Sequence, residues 1–369
     1  MIVVVHALFA LAQSVTPGLA ELERMFNRGE MEQGREAARQ LAADPNATAS
    51  ALLALGRLLG TSKEFLLAEE AFQRASRLNP GAFEAHFNLG LTRFQMRNFA
   101  TAIAPLETAA SLRPRAFEPN YLLGVTLNEA GRKADAIRCL RSAAEINPRH
   151  PRLLALLGAL YAGEGYSLDA VEVLEQARAI DPGQLPVSLL LIQALHDSFD
   201  FEHALRLASE TAGRFKTSAD AQFRLAVELE TAGRFDEARD TLTAALAIDA
   251  RHPGAMVALG RMQAREGRPA EAIANFRAVL AAQPGNALAR IEAAKAYLAL
   301  KQFAAARDIL APIEAQRDPT LHWLLSIIHA AEGDQTRAAT HRNRFLELSS
   351  ALAGGMGNTP GRRPRRYGQ

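Results

Sequence analysis

The sequence predicts an all-α fold, a solenoid of antiparallel helix pairs with a repeat of 34 residues. Three observations support this prediction. Prolines close successive segments at equal intervals, at Pro80, Pro114, Pro148 and Pro182. Within the segments, apolar residues recur at steps of three and four, which is the period of a helix. The chain is 49% hydrophobic but only 6% aromatic, and its abundant alanine and leucine favour closely packed helices over sheets.

Eight units, which start at residue 49 and at every 34th residue thereafter, share one pattern of small and large side chains. The twentieth position is alanine in all eight, and the eighth position is glycine in five of them. Position 24 is a large apolar residue in most units, for example Phe72 or Leu140. Because two helices approach closely only where the facing side chains are small, the glycine and the alanine predict a tight contact within each pair. Ile192 departs from this pattern, so we expect its two helices to lie further apart or the array to bend there.

The unit that starts at Phe117 shows where the helices should end. Gly131 interrupts the apolar period, since glycine is a helix stop. Pro148 ends the second helix, because proline lacks the backbone donor and its ring clashes with the preceding turn. Each unit is therefore predicted to be a helix, a short turn, a second helix and a proline.

This pattern resembles the tetratricopeptide repeat. The unit from Pro151 carries the family's residues at Leu157, Gly158, Tyr161, Gly165, Ala170, Leu174, Ala177 and Pro182. The resemblance covers residues 15–348. It implies a right-handed superhelical array that binds proteins, and it is specific for the fold but not for a ligand.

The terminal parts of the array depart from the pattern, as expected for units that face water on one side. Residues 15–48 are predicted to be a degenerate N-terminal repeat, residues 49–318 the eight tetratricopeptide-like repeats, and residues 319–348 a C-terminal capping repeat. Residues 349–369 are rich in glycine, proline and arginine, and we expect them to be a disordered basic tail.

Residues 1–12 form an uncharged apolar run that ends in a small-x-small sequence at Ala10-Leu11-Ala12. This arrangement is typical of a signal peptide, so we expect export to the periplasm or outside the cell and a mature chain that begins at Gln13. The run lacks a basic start, and the alternative is a first solenoid helix in a cytoplasmic protein. It is too short to span a bilayer comfortably, so no transmembrane segment is expected in the mature chain.

Composition and motifs argue against an enzyme. The net charge is +2, and four of the 42 basic residues lie in the tail, so a basic face for nucleic acid is not expected. No HExxH, phosphate-binding glycine loop, CxxC pair or nucleophile elbow is present, so we expect no catalytic residues and no cofactor. His150 and His252 share an Arg-His-Pro sequence that we interpret as solvated loops. His322 and His329 provide two imidazoles without a third ligand, so no metal site is expected.

The family resemblance implies that positions five and nine of each first helix face a concave groove. The apolar side chains at these positions are the candidate binding residues, namely Phe87, Leu91, Tyr121, Val125, Leu189, Phe223, Val227, Val257, Ile291 and Trp323. The alternative is that these side chains pack adjacent hairpins together and leave little of the groove exposed.

Two functions remain open. The first is a non-enzymatic scaffold that binds a peptide or a segment of a partner protein in its concave groove. The second is an accessory subunit of an enzyme or of a secretion or assembly complex, docked through its convex face or its basic tail. Neither the repeats nor the tail identifies the partner.

Overall fold

The computed structural model describes residues 18–355. Within this range the chain forms twenty α-helices and one 3₁₀ helix, with no strand, and consecutive helices pack against each other in pairs. The all-α prediction and the paired-helix architecture are confirmed. The predicted signal peptide, residues 1–12, and residues 356–369 of the predicted tail lie outside the described range.

The chain divides into two compact units, and the boundary follows Ala194. The helices of the first unit are α1 (Leu19–Asn27), α2 (Met31–Ala43), α3 (Ala49–Thr61), α4 (Phe65–Leu78), α5 (Phe83–Gln95), α6 (Phe99–Leu112), α7 (Phe117–Glu129), α8 (Lys133–Ile146), α9 (Pro151–Gly163) and α10 (Ser167–Ile180). The boundary falls within α11 (Leu185–Asp197).

The helices of the second unit are α12 (Phe201–Arg214), α13 (Ala219–Thr231), α14 (Phe235–Ile248), α15 (Pro253–Arg265), α16 (Pro269–Ala282), α17 (Ala287–Ala299), α18 (Phe303–Leu310), α19 (Pro319–Ala331) and α20 (Gln335–Gly355). The 3₁₀ helix Ala311–Ile313 follows α18 directly. Pro312 lies in this short helix, where its missing backbone donor cannot continue the α-helical hydrogen bonds.

In several repeats, the first helix of the pair follows an N-cap residue whose side chain accepts a hydrogen bond from the backbone N–H three residues later. These N-cap residues are Thr48, His150, Ser218, His252, Asn286 and Asp318. A side-chain acceptor satisfies one of the N–H groups that the first turn of a helix leaves unpaired. Proline follows the cap in α9, α15 and α19, at a position where no backbone donor is needed.

The turn inside each hairpin contains one residue with a positive φ. Gly131 is an example, and its N–H bonds to the carbonyl of Asn128 while the N–H of Arg132 bonds to that of Leu127. This pair of hydrogen bonds closes a helix through a left-handed residue, which glycine adopts without a steric penalty. Other turns place a side chain in the same conformation, among them Phe199 with φ 65°.

The glycine at position eight lies against the large residue at position 24 of the same hairpin. A Cβ added to Gly124 would lie 2.6 Å from Cγ of Leu140, and one added to Gly56 would lie 2.5 Å from Cε1 of Phe72. We expected the glycine to face the alanine at position twenty. The structure corrects this detail, because the missing Cβ makes room for the position-24 side chain.

The last helix is longer than the sequence suggested. Helix α20 continues to Gly355, so residues 349–355, which we assigned to the disordered tail, are helical. The sequence Ser-Ser-Ala-Leu-Ala contains no helix breaker, and the first proline beyond it is Pro360. Among the described residues, no helix is long and apolar enough to cross a membrane.

Candidate partner-binding face of the first helices

Positions five and nine lie one turn apart on each first helix, so their side chains share one side of it. We call these side chains, together with those that lie beside them on the same helix, the first-helix face. The ten predicted binding residues all belong to it. The structure places them in three different environments.

Two of the predicted residues in the first unit are aromatic rings held in stacks. Phe87 stacks on Phe83 with a centroid distance of 5.7 Å. Tyr121 stacks on Phe117 at 5.3 Å and also lies 5.1 Å from the ring of His150, the N-cap of the next first helix. Both are half-buried, as are the predicted aliphatic residues of this unit, Leu91, Val125 and Leu189.

Phe223 in the second unit has a similar environment. Its ring centroid lies 5.1 Å from that of His252, the N-cap of α15. It also covers Gly254, where an added Cβ would lie 2.7 Å from Cζ of Phe223. Phe223 therefore packs between adjacent hairpins, and it is half-buried, as is Val227.

Two predicted binding residues are not available to a ligand. Val257 is 4% exposed and Ile291 is 6% exposed. Val257 belongs to an apolar cluster with Phe276 of α16 and Ala293 of α17. Ile291 belongs to a cluster with Leu310 of α18 and Leu325 of α19. The prediction is wrong for these two side chains, because side chains of the helices packed around each of them enclose it.

The histidines of the two Arg-His-Pro sequences are structural, and our interpretation of them as solvated loops is wrong. Nδ1 of His252 accepts a hydrogen bond from the backbone N–H of Ala255 at 3.0 Å, and Nε2 lies 3.0 Å from Oδ1 of Asp220. Because Nδ1 accepts this hydrogen bond, Nε2 carries a proton and donates a hydrogen bond to the Asp220 carboxylate. His150 caps α9 in the same way, through the N–H of Leu153.

Trp323 has the third environment, because it is 46% exposed. It lies on α19, and Ile327, one turn further along the same helix, is also exposed. The opposite side of α19 is packed, with Leu321, Leu324 and Ile328 buried. Helix α19, the first helix of the C-terminal pair, thus exposes a tryptophan and an isoleucine on one side.

Charged side chains interrupt the first-helix face of the second unit, and most are paired. Glu230 receives hydrogen bonds from both Arg261 (2.9 Å) and Arg265 (2.7 Å), which lie on the next first helix. Lys295 donates to Glu292 at 2.8 Å on its own helix. These pairs fix the polar side chains between the apolar ones.

A buried carboxylate lies next to this face. Glu228, on α13, is 1% exposed, and its Oε2 accepts a hydrogen bond from Nδ1 of His196 at 2.9 Å. Its Oε1 lies 3.7 Å from Nη1 of Arg224, and burial lowers the pKa of that guanidinium. This group was not among the predicted site residues. Its signal in the sequence is an acidic residue at position ten, where two earlier units hold Thr92 and Thr126.

Metal-ligating groups and the single cysteine were the remaining candidates for a reactive site among the described residues. No three histidine, cysteine, aspartate or glutamate side chains between residues 18 and 351 are arranged to hold a metal ion. Burial raises the pKa of the Cys139 thiol, which opposes formation of a reactive thiolate.

Comparisons with known proteins agree with the repeat architecture. One sequence profile of the tetratricopeptide repeat matches residues 93–160 and 263–326, and a second matches residues 53–119, 189–255 and 223–287. Together these matches span more than half of the chain. A comparison of the sequence with curated proteins finds no significant match.

Solved structures with this fold are similar over most of the chain. The crystal structure titled APC/C hetero-tetramer Cut9-Hcn1 is 15% identical with a TM-score of 0.54, over 87% of this chain and 79% of that one. A tetratricopeptide repeat protein from Parabacteroides merdae is 13% identical with a TM-score of 0.48, over 68% of this chain and 98% of that one. At 15% identity the likeness to the first of these structures shows the fold alone.

Tetratricopeptide repeats bind other proteins, and proteins built from them are typically non-enzymatic interaction scaffolds. The helix pairs, the 34-residue spacing and the profile matches lead to the same assignment. This chain belongs to the tetratricopeptide repeat family.

Proposed function

We propose that this protein is a non-enzymatic interaction scaffold that binds an apolar segment of a partner protein on the first-helix face of α19. Trp323 is the central anchor, and Ile327 lies beside it. The observation that carries this proposal is the exposure of Trp323 at a position where Tyr121 and Phe223 are packed against histidine caps.

An exposed tryptophan is costly to leave in water and valuable in an interface. Tryptophan buries a large area on binding at a small entropic cost, and it is enriched among residues that dominate binding energy. Ile327 extends the apolar surface along α19. The adjoining first helix α17, which packs against α19, adds the exposed side chain of Leu288.

Recovery of partners from the native cell tests this proposal. Tagged wild-type protein and the double variant Trp323→Ala/Ile327→Ser should be compared under the same conditions. We expect the variant to lose the partners that the wild-type protein retains. Leu346→Ala is a matched control, since Leu346 is also an exposed apolar residue and lies on the second helix, α20. Equal recovery by the double variant and the control would contradict the assignment of the site.

A second candidate is an accessory subunit that docks through another surface, and one observation favours it. Phe199 is 79% exposed, and it has a left-handed backbone conformation that a bulky residue rarely adopts. Its ring meets that of Phe201 edge to face at 6.0 Å. If Phe199→Asp abolishes partner recovery and Trp323→Ala does not, docking occurs at this turn and the α19 site is wrong.

Export also remains a proposal, and its support is the sequence of residues 1–12. Intact mass of the protein made in a bacterial host with a periplasm measures the outcome. A chain that begins at Gln13 supports export, and an uncleaved chain in the cytoplasm contradicts it.

A further inference from the structure

Three histidines are buried in the C-terminal hairpin that α19 and α20 form. His322 and His329 lie on α19 and His341 lies on α20, and each is less than a tenth exposed. Buried histidines are expected to be neutral or to have a charged partner, because burial penalises the charged form. The sequence pattern indicates only the pair on α19, because His341 lies in the next helix.

The three imidazole rings form a stack with His341 in the middle. The ring centroid of His341 lies 5.3 Å from that of His322 and 5.4 Å from that of His329, with interplanar angles of 22° and 11°. Nearly parallel rings do not direct three lone pairs at one point, which agrees with the absence of a metal-binding group among the described residues. The three imidazoles are therefore arranged to bind protons rather than a metal ion.

The contact between His322 and His341 limits how many protons the pair can hold. Their Nδ1 atoms lie 3.1 Å apart, so one nitrogen donates a hydrogen bond and the other accepts it. A fully protonated pair would place two N–H donors against each other at this distance. The folded hairpin therefore accepts at most one proton on this pair, whereas the unfolded chain accepts two.

Charged groups from several elements face the stack. On the chain between α18 and α19, Glu314 lies 3.4 Å from Nε2 of His341, and the Asp318 carboxylate acts on His322. On α19, Oε2 of Glu332 lies 3.6 Å from Nδ1 of His329.

The remaining charges near the stack are cationic. On α18, Arg307 pairs with Glu332 at 2.6 Å. On α20, Arg337 acts on His341 and Arg344 acts on His322, and both oppose protonation. Burial is the main cause that lowers the pKa of both His322 and His341, and these arginines act in the same direction.

We propose that the contact between His322 and His341, in the stack that His329 completes, is proton-sensitive and weakens the C-terminal hairpin as the pH falls below neutrality. The contact includes His322, the residue directly before Trp323 on α19, so acidification would loosen the helix that carries the proposed anchor. The stability effect itself does not depend on the proposed function.

The sign follows from proton uptake. Above the pKa of about 6.5 for an unfolded histidine, both states are neutral and the hairpin has its full stability. Below that pH the unfolded chain binds at least one more proton than the folded hairpin. Each further pH unit then raises the unfolding constant by about tenfold for each such proton, until the folded hairpin also takes it up.

The protein contains a probe for this measurement, because Trp323 is its single tryptophan and lies on α19 itself. Urea unfolding of the full chain should be followed by tryptophan fluorescence at pH 7.5 and pH 5.5. We expect the unfolding constant of this local transition to be about tenfold or more larger at the lower pH. Imidazole NMR signals of the wild-type protein should show His322 and His341 titrating below the ordinary histidine range.

Two variants separate the stack from other histidines. His341→Phe keeps a ring in the middle of the stack but removes its titration, so we expect the pH dependence reported by Trp323 to become flatter. His86→Gln removes a half-buried histidine of the first unit and should leave that dependence unchanged. The wild-type NMR titration decides the question even if His341→Phe does not fold.

Three outcomes would overturn the proposal. The first is an equal unfolding constant at the two pH values, and the second is an ordinary pKa for both His322 and His341. The third is an increase in the urea midpoint when zinc chloride is added at pH 7.5, which would identify a metal site. Loss of partner binding by Trp323→Ala has no bearing on these readouts, so the two proposals fail independently.

Discussion

The middle repeats and the C-terminal repeat use position five of the first helix in opposite ways. In the second unit, Phe223 lies against the ring of His252 and over Gly254 of the following first helix. Trp323 has the same position on α19, but no further first helix follows in the described residues, and its ring is 46% exposed. Tyr121 of the first unit resembles Phe223, because it lies against His150.

This difference shows that an equivalent repeat position does not imply an equivalent role. The rings of Tyr121 and Phe223 are partly covered because the next first helix supplies a histidine cap. Trp323 has no such neighbour in the described residues, so its side chain is available for an interface. The following variants test the comparison, from the largest expected effect on the free energy of unfolding to the smallest.

The largest loss of unfolding free energy should come from a contact between the two helices of one hairpin. Such a contact does not depend on the neighbouring hairpin. Gly124→Leu places a side chain where even a Cβ would lie 2.6 Å from Leu140. We expect a loss of about 3 kcal/mol, the upper range for overpacking. Gly60→Ala is the control, because nothing lies within 4 Å of an added Cβ there. Urea denaturation measures the stability of both variants. Similar urea midpoints would refute the role of the position-eight glycine in the close contact between the two helices.

Phe223→Ala tests the covered state of position five. We expect a loss of about 2 kcal/mol, less than for a fully buried phenylalanine because the ring is half-buried. Tyr121→Ala should behave similarly in the first unit. If neither change lowers the unfolding free energy, these rings do not hold adjacent hairpins together and the comparison with Trp323 fails.

His252→Ala tests the cap that covers Phe223. The variant removes the acceptor for the N–H of Ala255 and the contact with Asp220. Loss of an N-cap costs about 1 kcal/mol, and up to about 2 kcal/mol in favourable cases. His252→Asn should recover part of this loss, since asparagine caps helices well but cannot replace the ring. Equal stability of the two variants would mean that the cap contributes nothing.

Trp323→Ala should cost about 1 kcal/mol, clearly less than Phe223→Ala, because nearly half of the side chain already lies in water. We expect the free energy of unfolding to fall less in Trp323→Ala than in Phe223→Ala, so both variants should be measured in one denaturation series. A larger loss for Trp323 than for Phe223 would show that the tryptophan supports the hairpin rather than an interface.

The last effect should be as small as that of Trp323→Ala and should have the opposite sign. Phe199 has a φ of 65°, and glycine adopts this conformation at the corresponding turns Gly165 and Gly233. We expect Phe199→Gly to stabilise the protein by about 1 kcal/mol, the typical cost of a side chain in a left-handed conformation. Gly233→Phe should destabilise it by a similar amount. A loss of stability in Phe199→Gly would indicate that the exposed ring contributes to folding.

Several features of this protein follow from its sequence alone. The repeat length, the helix pairs and the turns can be predicted because they depend on local chemistry. Glycine accepts a positive φ at Gly131, proline ends the helix at Pro148, and helical periodicity identifies the packed side. The family resemblance added the ten candidate side chains at positions five and nine of the first helices.

Only the tertiary structure decided which of those side chains are exposed. The environment of Phe223 depends on His252 and Gly254, and that of Ile291 depends on Leu310 and Leu325. Exposure is a property of neighbours from other hairpins, which a single helix does not encode. The same reason applies to His341, which meets His322 and His329 only because α20 folds back along α19. Local preference determines helices and turns, whereas burial and proton sharing depend on contacts between residues far apart in the chain.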